Sequence, residues 1–215
     1  MARAFKRKGD TFVAKLDDME RGIVAGLMEQ VHDLVAPTPP PGGAPVSTGD
    51  AFDDIVAGLG VSVSAEDQLP DGDGKDNDDD NPLLRDPALT RLLPTAHRGD
   101  DEIAAEFRRL TEHGLRDRKA GNLAVSIDAL RSATGERLEL TRPQAQAMVV
   151  ALTDTRLVLG ERLGLRTDED AVRLDERIAA LGDNDPAVYA ASFYDFLTWM
   201  QESLTTSLMG RSHFF

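Results

Sequence analysis

The chain has 215 residues, a formal net charge of −14, 41% hydrophobic and 5% aromatic residues, and no cysteine. That length supports one domain with a sizeable core, and the missing cysteine excludes disulfides, thiolate metal sites and thiol redox switches within these residues. The apolar runs are too short to span a bilayer, and the basic start Met1–Lys8 has no apolar stretch after it, so it does not read as a signal peptide. The expectation is a cytoplasmic protein with no membrane association.

In chain order, Phe5 to Leu16 reads as a small hairpin, with Gly9-Asp10 at its turn and Phe12, Val13 and Leu16 as strand-like bulk. Asp17-Asp18 then caps a helix reaching about Ala36, with a stripe of Ile23, Leu27, Val31 and Leu34 flanked by Val24, Met28 and Val35. Pro37 stops it. Residues 37–82 hold one basic and eleven acidic side chains between a Pro/Gly-rich start and the run Asp71–Asp80. This composition cannot bury enough apolar surface to offset chain entropy, so the segment is predicted to be a largely disordered acidic insertion. Asp50 to Gly60 could form one short amphipathic helix within it.

Asp86-Pro87 caps a short helix through Leu93, ended by Pro94. Asp100-Asp101 caps a long helix to about Ser132, with Ile103, Phe107, Leu110 and Gly114 toward the core in its first half. Leu123, Ile127 and Leu130 fall on the other side, so this helix is touched from two sides or bends near Gly121. Arg137–Leu140 fits a third short strand against the hairpin. Thr141-Arg142-Pro143-Gln144 matches a capping box with proline in the first turn, opening a helix to Leu163. Asp168–Leu181 is a further helix. Asp185-Pro186 begins the last, with Tyr189, Phe193, Leu197, Met200, Leu204 and Leu208 as its stripe. The fold expected is mainly α: one multi-helix domain made of 1–36 and 83–215, with a small N-terminal hairpin and the insertion 37–82 between.

The acidity belongs mainly to the insertion. Residues 1–36 balance at six basic and six acidic side chains, and 83–215 hold 17 basic and 21 acidic. Counted this way, the basic footprint of nucleic-acid binding is absent, and direct nucleic-acid contact stays open. Read from Asp71 as a calcium loop, the acidic run has Lys75, Asp76 and Pro82 where a ligand oxygen, glycine and glutamate are needed. Glu29 and His32 form half of a di-iron motif, but His97, His113 and His213 have no glutamate three residues before them. No metal, cofactor or catalytic set emerges, so no enzyme is expected.

Three features point to contacts. Arg108, Arg109, Arg116, Arg118 and Lys119 make the long helix locally basic, although Glu106, Glu112 and Asp117 allow ion pairs along its own face. Trp199 lies opposite the apolar stripe of the last helix, where it either marks a partner surface or is covered by the hairpin or by Phe214-Phe215. Arg156 falls about 80° from Met148, inside the stripe of a helix apolar nearly all round, and Glu20 about 60° from Ile23. Core-facing charges are costly unless paired. Glu20 and Arg156 are therefore expected to meet, with Asp195 as an alternative acid, and Arg21 and Asp154 to form a second, more exposed pair.

Asp17-Asp18-Met19-Glu20-Arg21, Asp86–Pro94, Glu106-Phe107-Arg108, Asp154–Gly164 and Tyr194–Leu204 together resemble the actinomycete oxidative-stress regulator family, long catalogued only as a domain of unknown function. The resemblance covers nearly everything except the insertion. It implies a cytoplasmic transcription regulator that acts with sigma factor and RNA polymerase. In that family's best-known type a cysteine pair senses oxidation, and that chemistry cannot carry over to a chain without cysteine. The rival readings are a non-catalytic adaptor or assembly partner of another cytoplasmic complex, and an enzyme of unknown class. The sequence does not fix the oligomeric state.

Overall fold

The computed structural model describes residues 2–36, 86–94, 101–182 and 185–210, with the backbone alone for 101–110. The insertion, the helix expected at 50–60, His97, His213, Phe214-Phe215 and the side chains of Ile103, Glu106, Phe107, Arg108, Arg109 and Leu110 lie outside the described residues.

Strand β1 (Arg3–Lys8) and strand β2 (Thr11–Lys15) form the expected hairpin, and strand β3 (Arg137–Leu140) joins β2 antiparallel, giving the order β1-β2-β3. The turn works because Gly9 sits at φ 63°, a left-handed conformation that costs glycine nothing. Six helices appear among the described residues: α1 (Asp18–Val35), α2 (Pro87–Leu92), α3 (Asp101–Ser132), α4 (Arg142–Arg162), α5 (Asp168–Ala179) and α6 (Pro186–Leu208). The mainly helical fold with a hairpin and third strand is as the sequence predicts.

Most helix starts follow their sequence signals. Asp17 and Glu20 form a reciprocal capping box on α1, Thr141 and Gln144 do the same on α4, and Thr167 and Asp170 on α5. Asp86 and Asp185 cap α2 and α6 just ahead of their prolines.

Helix α4 is the hub. It packs against α1, α2, α3, α6, β2 and β3, and buries Ala145, Met148, Ala151, Leu152, Leu159 and Gly160. Small residues on several sides let neighbours approach closely: Tyr194 lies 3.4 Å from where a Cβ on Gly160 would stand. Core-facing Phe5, Phe12, Leu138 and Leu140 close the sheet over this interior.

Three expected faces shift. On α1 the buried arc runs through Val24, Met28, Val31 and Val35, while Ile23 and Leu34 are half-buried, because apolar residues on both sides of the stripe leave its centre undefined in sequence. On α6, Tyr189 is 42% exposed, and Ala187, Ala190, Ser203 and Ser207 are buried beside Leu197, Met200 and Leu204. Small side chains mark the closest packing there, and hydropathy overlooks them. Gly114 on α3 is exposed rather than buried. Helix α5 buries only Leu174 and ends two residues short of the expected Leu181.

Candidate functional site

The four charges expected to pair across the core all take other partners. Glu20 is the third residue of α1, and its carboxylate accepts from the Asp17 amide and the Ala2 amide, both at 2.9 Å. First-turn amides have no partner within the helix, so a carboxylate at this position is drawn back to cap them. Arg21 donates to the Leu16 carbonyl at 3.0 Å, and also to the Gly135 carbonyl and Asp18, clamping the entry of α1 to the turn before β3. Arg156 donates to Gln201 Oε1 at 2.7 Å and to the Tyr194 hydroxyl at 3.4 Å, with its guanidinium 5.1 Å from the Tyr194 ring centre. Gln201 in turn donates to Thr153 at 2.7 Å. Arg156 is half-buried, so neutral acceptors and a ring face suffice where a fully buried cation would need a carboxylate. Asp195 is exposed.

Asp154 is the buried charge of α4, at 2% exposure, and its partner is Lys119 of α3 at 2.5 Å. Burial pushes the Asp154 carboxyl above its ordinary value of 3.8, and the Lys119 ammonium opposes this. Asp154 Oδ2 has no hydrogen-bond partner among the described residues. Helical angles counted within one segment could not reveal this pair, because Lys119 lies on a distant helix.

The basic stretch of α3 is partly consumed in the same way. Lys119 turns inward, and Arg116, 9% exposed, is held by Glu112 at 2.9 Å. Arg116 therefore offers no free charge to a partner. Trp199 is half-buried and stacks on Phe196, with ring centres 5.7 Å apart. Glu29 binds Arg131 through both oxygens, and His32 lies 3.5 Å from Asp33. Among the described residues no three His, Asp or Glu side chains are grouped to hold a metal ion.

The outer face of the sheet carries the charge that segment averages hide. In antiparallel pairing, directly opposed residues share a face. Arg3 opposes Lys15, Lys6 opposes Val13, and Lys8 opposes Thr11, while Lys15 and Val13 oppose Arg137 and Glu139 across β3. Strand alternation alone would put Arg3 and Lys6 on opposite faces. A register shift between them brings both to the outside. Helix α6 holds the shifted segment: Ser203 accepts from the Phe5 amide at 3.4 Å, and Ser207 donates to the Phe5 carbonyl at 2.8 Å. The result is an open cavity of about 470 Å³ lined by Arg3, Lys6, Lys8, Lys15 and Arg137, with Ala4, Val13 and Ala14 as its apolar part. Lys15 pairs with Glu136 at 3.7 Å and Arg137 with Glu139 at 2.8 Å, whereas Arg3 and Lys6 have no acidic partner among the described residues. The sequence signal was present: residues 2–16 hold five basic side chains against Asp10 alone, a balance cancelled when α1 is counted with them.

Comparison with known proteins adds a family. The model of a family described as a domain of unknown function (DUF2017) matches residues 2–208. The chain belongs to that family. Relatives include proteins named oxidative stress regulator AosR in Mycobacterium tuberculosis (strain H37Rv) and Mycobacterium bovis, each 34% identical over 138 residues. The match covers 58% of this chain and 59% of each relative, so the chain spans under two thirds of their length. No solved structure matches.

Within this member of the family, three of the segments that carry the resemblance, Asp86–Pro94, Asp154–Gly164 and Tyr194–Leu204, meet at α4. Arg91 of α2 reaches Glu161 at 3.2 Å and the Leu165 carbonyl at 2.7 Å. Arg162 bonds Asp86, the cap of α2. Glu161 also receives Arg166, so its carboxylate, 7% exposed, lies between two guanidinium groups. Tyr194 and Gln201 hold Arg156 from α6. These segments fix how the helices pack.

Proposed function

We propose that this protein is a cytoplasmic, non-catalytic transcription regulator that works through contacts with sigma factor or RNA polymerase, and that its signal is not a thiol redox change. The observation that carries this reading is the 34% identity over 138 residues to proteins named oxidative stress regulators. The absence of cysteine from all 215 residues separates it from thiol sensing. An interaction role is supported by an exposed sheet face whose cations are only partly matched by acids of the described residues. No helix among the described residues is long and apolar enough to cross a membrane.

The test is retention of purified RNA polymerase by the immobilised chain, as core enzyme and with sigma factor. The reading predicts retention that weakens with salt and is unchanged by dithiothreitol or peroxide. Failure to retain core enzyme, holoenzyme or free sigma factor would leave the adaptor of another complex as the better reading.

A further inference from the structure

The geometry points to the outer face of the β1-β2-β3 sheet as a docking surface for an extended acidic segment of a protein partner. This rests on the proposed role in protein contact and names the chemistry of the contact.

Three observations carry it. First, the cavity is polarised: among the described residues five cations line it and no acid does, in a chain of net charge −14, and the nearby acids Glu139 and Glu136 are taken up by Arg137 and Lys15. Second, Arg3, Lys15 and Arg137 form one row across the three strands, each directly opposite the next. Like charges directly opposed across strands oppose sheet stability. Glu136 and Glu139 relieve two of the three, and Arg3 is left with Lys6 beside it. The register shift that puts Arg3 there is bonded to α6 on both sides of its peptide, so the row belongs to the fold. Third, the cavity includes apolar Ala4, Val13 and Ala14 between the cations.

That combination favours a peptide over a nucleic acid. Among the described residues no aromatic side chain lines the cavity, so it offers bases no stacking platform. A specific duplex site buries at least about 1,000 Å² of protein and draws on a broad basic surface, while the remainder of this chain is acidic. An extended peptide presents same-side carboxylates roughly 7 Å apart, the spacing of Lys6 and Lys8 along β1. Apolar side chains between the acids would cover Val13.

The test uses the full chain and a fluorescein-labelled peptide of Glu, Asp and Leu, read by anisotropy, with a short duplex DNA as competitor. The peptide should bind, weaken as salt is raised, and lose about tenfold or more in affinity with Arg3→Glu and Lys6→Glu combined. A thermal melt of that variant, and the milder pair Arg3→Gln and Lys6→Gln, separate lost binding from lost folding. No peptide binding, unchanged binding by the reversed variant, or duplex DNA bound as tightly as the peptide would overturn the proposal. Binding that appears only after the aspartates between 71 and 80 become asparagine would assign the face to the chain's own acidic segment, and overturn the partner. Polymerase retention is scored separately. Peptide binding without retention sinks the polymerase reading alone, and retention without peptide binding sinks this surface alone.

Discussion

The core of α4 and the outer face of the sheet both concentrate charge, and they treat it in opposite ways. Around α4 the acids are matched by cations, Asp154 by Lys119 and Glu161 by Arg91 and Arg166, and the Arg156 cation is held by the neutral Gln201 and Tyr194. On the sheet, Arg3 and Lys6 face solvent with no acid among the described residues to meet them. Matched buried charge fixes geometry, since stranding either member is costly. Unmatched exposed charge costs little to keep and is free to meet a partner. The packing of the helices is therefore written around α4, and the capacity to bind is written on the sheet.

The largest effect is expected at the Lys119–Asp154 pair. Lys119→Met leaves Asp154 buried without its cation and should cost about 3–5 kcal/mol in urea unfolding at neutral pH. Combining it with Asp154→Leu should recover most of that loss, because a well-packed apolar pair replaces a buried ion pair at little cost. A double variant no more stable than Lys119→Met would show that the site needs its charges.

The same pair makes a pH prediction. The folded-state pKa of Asp154 lies above its ordinary 3.8, with burial as the main cause. The folded protein therefore holds this proton more tightly than the unfolded chain does. The resulting stability is full below 3.8 and is lost as pH rises through the raised folded value. Lys119→Met should widen this window, so its destabilisation shrinks as the solution is acidified. Urea midpoints measured across acidic pH check it, and a loss independent of pH would contradict it.

Smaller effects sharpen the contrast. Leu152→Ala, at a fully buried position facing the hub's neighbours, should cost about 2–5 kcal/mol. Asp17→Ala removes one half of the capping box on α1 and should cost about 1 kcal/mol. Arg3→Glu with Lys6→Glu should shift stability by no more than ~0.5 kcal/mol per site, measured by thermal melting, because both side chains are exposed.

Much of the architecture was legible because its signals are local. Asp17-Asp18, Thr141 with Gln144, and Asp86 and Asp185 before prolines each announce a helix start from residues within one turn. The third strand was legible from Arg137–Leu140 alone. The partners of charges were not, since angles counted along one helix say nothing about which helix lies opposite. Glu20 is ambiguous for a further reason: a capping glutamate and a core-facing glutamate occupy the same angular position in the first turn. The basic face was hidden twice, once by averaging the hairpin with α1, and once by a register shift that no alternation pattern records.

The most direct measurement compares two double variants for affinity to the acidic peptide: Arg3→Glu with Lys6→Glu on the sheet, and Lys119→Met with Asp154→Leu at the hub. The sheet variant should keep its melting temperature and lose about tenfold or more in affinity, while the hub variant should bind as the parent does. Equal binding by the sheet variant and the parent, or loss of binding in a folded hub variant alone, would contradict it.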